Sequence, residues 1–195
     1  MGYDWQNSII IPSKSFRCGY CGQDIASDKG YKADFFNDAM KREFVYIAIC
    51  HYCKKPTFLD ENGNQFPGSI FGNSIEHLPK NILDLYNESR NCISVNAYTA
   101  SILCSRKLLM YIAISKGSPP GLPFQKYVDE LAAKGFVPPD GKEWVNHIRE
   151  KGNEATHEIT IMSKDDAEDL ITFIEMLLKF MYEFPTIMKL KKRVK

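Results

Sequence analysis

The chain has 195 residues, 44% hydrophobic and 25% charged, enough to bury one good core or one core plus a small satellite module. A net charge of +1 excludes a globally basic nucleic-acid binder, though not a local basic patch. No apolar run approaches the roughly 18 residues of a membrane span.

The N-terminal stretch MGYDWQNSIIIPSKSFRC lacks a basic segment followed by a long apolar one, so a secretory leader is not expected. Gln6 occupies the place where a myristoylation motif wants Ser or Thr. The reading is a cytoplasmic protein with no membrane partner.

Four of the six cysteines then form two pairs, Cys18 and Cys21 in CGYC and Cys50 and Cys53 in CHYC. Each C-x2-C knuckle lets two thiolates converge on one tetrahedral ion, and a reducing compartment favours metal over disulfide. Gly19 and Gly22 suit the tight first knuckle. The run EFVYIAI before the second reads as a strand, and TFLDENGNQF after it reads as a hairpin turning at Asn62-Gly63 or Gly63-Asn64. The expected module is a zinc ribbon over 1–70. Its knuckles are separated by an unusually long spacer, of which 24–42 is expected to be a loop or short helix. Four thiolates fill the tetrahedron, so the zinc is expected to be structural, with His51 an exposed knuckle residue rather than a ligand. Lys14, Arg17, Lys29, Lys32, Lys41, Arg42, Lys54 and Lys55 lie nearby in sequence, as a solvated surface or as phosphate contacts.

FPGSIFGNSIEHLP reads as a linker, and beyond it the pattern is helical. A bundle is expected over 75–188, making the fold class mainly α with a small N-terminal β ribbon. Pro79 can open a first helix with KNILDLYNES. Residues 91–105 carry no charge, and Ile93, Ala97, Ala100, Cys104, Leu108 and Tyr111 mark one face of a central helix or of one shared with a second subunit. On a single helix, Cys92 and Cys104 would stand about 18 Å apart, too far to bridge. PFQKYVDELAAK gives a third helix ending at Gly135, and KEWVNHIREKGNEATHEI a fourth segment. Ser163 and Asp166 resemble a capping box that opens a last helix, with Pro185 expected to stop it. The tail 189–195, KLKKRVK, has five basic residues in seven, a frayed solvated end or a phosphate-binding arm.

In the fourth segment Trp144, Ile148, Gly152, Ala155 and Ile159 follow helical spacing, which puts Gly152 on a core-facing stripe that a neighbouring helix can approach. Arg149, Asn153 and His157 stand four apart on an adjacent polar stripe.

Three of these stretches, LPKNILDLYNESRNCISVNAYTASILCSRKLLMYIAI, LPFQKYVDELAAKGFV and WVNHIREKGNEATHE, together resemble domain of unknown function 4145, over residues 78 to 160. That family is similar to the HEPN superfamily (higher eukaryotes and prokaryotes nucleotide-binding). The resemblance implies a helical bundle that often dimerises and often serves as a ribonuclease in antiviral defence or as a toxin. A HEPN ribonuclease needs a histidine for acid–base work at the ribose 2′-hydroxyl and an arginine for the charge growing on the phosphorane, and no metal. His157, Asn153, Arg149 and Arg106 are the candidates here. The match is incomplete, since Gly152 stands five before His157 where the motif can place Arg. Lys151 has no planar fork, Arg149 is eight residues away, and Met110 replaces the family's usual acid. The reading is therefore a non-catalytic or regulatory module recognising nucleic acid or a nucleotide in prokaryotic anti-phage defence or restriction. Its expected partners are a second copy of the chain, RNA or DNA, and defence or restriction proteins. The alternatives are a metal-independent endoribonuclease using His157 and a homodimeric assembly module.

Overall fold

The computed structural model of the chain describes residues 3–137, 146–147, 150 and 161–193. They fall into two compact units, Met1–Ile70 and Phe71–Lys195. Among the described residues, no helix is long and apolar enough to cross a membrane.

The first unit is an antiparallel meander of five strands in sequence order: β1 (Ile9–Arg17), β2 (Asp24–Phe36), β3 (Arg42–Ile49), β4 (Pro56–Leu59) and β5 (Gln65–Phe66). This corrects the expected loop or short helix over 24–42, most of which is β2. Its interior, with Asp28, Lys29, Gly30, Lys32 and Asp34, has poor strand propensity. Pairing with β1 on one side and β3 on the other outweighs that propensity. Gly30 is required there, because a Cβ would sit 1.9 Å from the Ile47 carbonyl oxygen. Asn37 closes the β2–β3 turn, its side-chain oxygen accepting the N–H groups of Ala39 and Lys41. The β4–β5 hairpin turns at Gly63, with φ +83°, while the Asp60 carboxylate accepts from the backbone of Asn62 and Asn64. Ile11, Ala48 and Leu59 make a small core.

The expected fold class is overturned by this sheet: among the described residues 44% are helical and 21% strand, a mixed fold rather than a mainly α one.

The second unit contains α1 (Lys80–Ser94), α2 (Tyr98–Ser115), α3 (Phe124–Ala133), α4 (Lys164–Leu178), a π-helical turn (Lys179–Glu183) and α5 (Phe184–Arg193). Tyr86, Leu109, Ile112, Tyr127, Leu131, Leu170 and Phe173 are fully enclosed in its core. The charge-free run is not one helix. Asn96 takes φ +61°, and the chain reverses between α1 and α2, with the Ala97 N–H donating to the Cys92 carbonyl. Asn is the residue after Gly that best tolerates this left-handed conformation, so a helix can end there without Gly or Pro. The buried α1–α2 seam holds three serines: Ser89 donates to the Ser101 carbonyl at 2.8 Å and lies 2.6 Å from Ser105 Oγ. These small side chains let the helices approach while satisfying their own hydroxyls. Ala100 and Tyr111, on the face expected to be central to the bundle or shared with a second subunit, are exposed.

The capping box forms, Ser163 Oγ accepting from the Asp166 N–H and the Asp166 carboxylate from the Ser163 N–H. Pro185 does not stop the last helix. Proline lacks an N–H and its ring crowds the carbonyl four residues back. The helix accommodates it by widening one turn, where the Phe184 N–H donates five residues back to the Lys179 carbonyl. As a result 189–193 are helical rather than frayed.

Candidate metal centre

Four thiols converge between the β1–β2 and β3–β4 connections. The sulfurs of Cys18, Cys21, Cys50 and Cys53 all lie within 4.8 Å of one another, the one such group among the described residues. Cys18 Sγ is 3.7 Å from Cys53 Sγ, and Cys21 Sγ is 3.7 Å from Cys50 Sγ. A tetrahedron with metal–sulfur bonds of about 2.3 Å has sulfur–sulfur edges of about 3.8 Å. The spacing therefore fits a zinc ion, held by two residues from each knuckle.

The two knuckles share one backbone scheme. The Gly22 N–H donates to the Cys18 carbonyl and the Cys18 N–H to the Gln23 carbonyl; Lys54 to Cys50 and Cys50 to Lys55 repeat it. The residue four after the leading cysteine has positive φ in both, +70° at Gly22 and +60° at Lys54. Gly19 answers to a different constraint, since a Cβ there would meet the Gly68 carbonyl oxygen at 2.3 Å. The second knuckle is braced by the Trp5 indole N–H, which donates to the Lys54 carbonyl at 2.6 Å. Ile25 and Phe16 pack against the cluster.

Burial disfavours thiolates in this place. It pushes Cys18 up to about 12 against the opposing N–H groups of Tyr20 and Cys21, and it raises Cys53. Burial opposes ionisation of Cys50 as well, but the N–H groups of Cys53 and Tyr52 outweigh it and the net shift is downward. A dication supplies the charge that four clustered sulfurs, those of Cys18 and Cys50 buried, need in order to ionise together. With four sulfurs coordinated there is no open position for substrate, so the centre suits folding rather than catalysis. His51 is exposed and stacks on Tyr52, away from the sulfurs' roles, with ring centroids 4.4 Å apart.

One face of the same sheet carries cations laid over aromatic rings. The β2–β3 register pairs Lys32 with Tyr46 and Asp34 with Phe44, putting these side chains on one face. Lys14 Nζ lies 4.1 Å from the Tyr46 ring centroid and Lys32 Nζ 3.6 Å from that of Phe44. Arg42 lies over Phe44 as well, at 5.5 Å, and bonds Asp34 at 2.7 Å. That hydrogen bond holds the Asp34 carboxyl below its ordinary value. Arg42 and Lys32 thus act on the Asp34 carboxylate, and Lys14 adds a third cation over the neighbouring Tyr46 ring. Sequence reasoning named these cations individually but missed the cluster, because its signal, the Phe44-x-Tyr46 alternation opposite Lys32-x-Asp34, appears only once β2 is paired.

Of the expected catalytic residues, Arg106 alone lies among the described residues. Arg106 is half-buried on α2 with its guanidinium 4.4 Å from the Phe124 ring centroid, a helix-packing contact with α3. Arg149, Asn153 and His157 lie outside the described residues, as do Lys151 and Gly152.

The family model described as Domain of unknown function (DUF4145) matches residues 87–194, more than half of the chain. No curated protein and no solved structure matches it.

Proposed function

The chain belongs to the DUF4145 family, and from that premise we propose a non-catalytic or regulatory protein that recognises nucleic acid or a nucleotide. In this reading a structural zinc ion organises the first unit and the second is a HEPN-like bundle. The setting, prokaryotic anti-phage defence or restriction, rests on the family resemblance alone.

The observation that carries the reading is the Lys14, Lys32 and Arg42 cluster over Phe44 and Tyr46. Cations held in place over aromatic rings lose little freedom on meeting a phosphate, and the metal-held sheet fixes their spacing. The decisive assay is RNA cleavage with and without chelator, for wild type and His157→Ala. We expect no chelator-resistant cleavage; such cleavage, lost in His157→Ala with an unchanged melt, would overturn the non-catalytic reading.

A homodimer is part of the proposal. It is supported by Leu103, Tyr111 and Ile114, apolar side chains of α2 that stand between 39% and 45% exposed around Lys107. Light scattering that reports a monomer at micromolar concentration contradicts it.

A further inference from the structure

Among the described residues the last buried one is Met181, and from Phe184 to Lys192 only Thr186 and Ile187 are half-buried. The other apolar side chains of the helix face water: Phe180 is 56% exposed, Phe184 46%, Met188 56% and Leu190 46%. Phe180 and Phe184 share a face, their rings meeting edge to face with centroids 5.6 Å apart. Met188 follows four residues after Phe184 in regular α-helix and so continues that stripe. Lys191 and Lys192, three and four residues beyond Met188, bring exposed cations to the tip of the same face, and Lys189 flanks it. No acidic residue occurs between Phe184 and Lys195, whereas 189–195 contains five cations.

This combination selects among occupants. A second copy laid along the stripe would set one cationic helix against another. Nucleic acid would satisfy the lysines but leave Phe180, Phe184 and Met188 in water. An anionic bilayer satisfies both: aromatic and thioether side chains enter the acyl boundary, and lysine stems reach back to the headgroups. We propose that the helix from Phe180 to Arg193 is a reversible docking element for anionic lipid surfaces. This goes beyond the nucleic-acid reading and does not depend on it. It also revises the expectation of no membrane partner, from spanning to peripheral contact.

Length sets the strength. One short helix of this kind binds weakly and needs the electrostatic contribution, so association should require anionic lipid and weaken with salt.

The test is co-sedimentation of the full chain with vesicles of phosphatidylcholine, with and without phosphatidylserine. The chain should pellet only with the phosphatidylserine vesicles. Phe184→Ser combined with Met188→Ser should lower the bound fraction about tenfold or more, and Lys191→Gln or Lys192→Gln roughly fivefold each. Thermal melts and zinc content of each variant show that the fold is kept. No pelleting with phosphatidylserine overturns the proposal. So does pelleting that is indifferent to Phe184→Ser/Met188→Ser, which would reveal a charge contact only. So does single-stranded RNA binding that is lost with the serine variants while vesicles stay unbound. Lys14→Gln and Lys32→Gln, far from this helix in sequence and over other rings, should leave pelleting unchanged, which separates its outcome from that of the nucleic-acid reading.

Discussion

Cys92 on α1 and Cys104 on α2 lie side by side across the helical hairpin, each thiol influencing the other's ionisation. Burial keeps both protonated, and the Glu88 carboxylate adds to the effect. Cys92 is raised, and Cys104 is pushed up to about 11. The thiolate is the reactive form, so these cysteines should alkylate slowly at neutral pH and faster as pH rises toward that value. Iodoacetamide labelling followed by peptide mass spectrometry across a pH series checks this. Rapid labelling of Cys104 at neutral pH would contradict a half-buried, protonated pair.

The same labelling should find Cys18, Cys21, Cys50 and Cys53 shielded until a chelator is added. Elemental analysis should give one zinc per chain, and Cys50→Ser should lose it. Because the helical unit has its own core, chelation should melt the sheet unit and leave much of the helical signal. Wild-type zinc content in Cys50→Ser would contradict the ligand set.

Acid should loosen the second unit through Glu175. Burial alone would raise this carboxyl, but Lys179 donates to it, as do the side chain and backbone N–H of Asn73, and the net shift is downward. A carboxylate depressed in the folded state contributes stability above its unfolded value, about 4.3, and that stability is lost as pH falls through the lower folded value. Glu175→Gln should therefore flatten the acid limb of the melting curve. At neutral pH it should cost about 0.5–1.5 kcal/mol, since half-buried Lys179 loses its charged partner. An unchanged acid limb would show that Glu175 is not a principal acid-labile contact.

The knuckles, the β4–β5 hairpin and the Ser163–Asp166 cap are features of residue type at fixed spacing, and the sequence displays all three. Three other elements depend on what a segment packs against. Asp28-Lys29-Gly30 has no local reason to be strand; Lys29 pairs with Ile10 of β1, and Gly30 pairs with Ile9 on one side and Ala48 of β3 on the other. Asn96 ends α1 inside an apolar run with neither Gly nor Pro to mark the break, and only that reversal brings Cys92 to Cys104. Pro185 argues locally for a helix end, and the π-turn before it removes the clash that the rule assumes. The cation–aromatic cluster inherits the first of these: without β2, Lys32 has no Phe44 to lie on.

Binding of labelled single-stranded RNA and DNA to the full chain across a salt series tests the central claim most directly. Each phosphate neutralised by a cation releases counterions, so log affinity should fall linearly with log salt. Lys14→Gln and Lys32→Gln should each weaken binding to all sequences alike and reduce the steepness of that line by roughly 0.7. Absent or salt-independent binding to both nucleic acids, or a slope unchanged in the two variants, would contradict recognition through this sheet face.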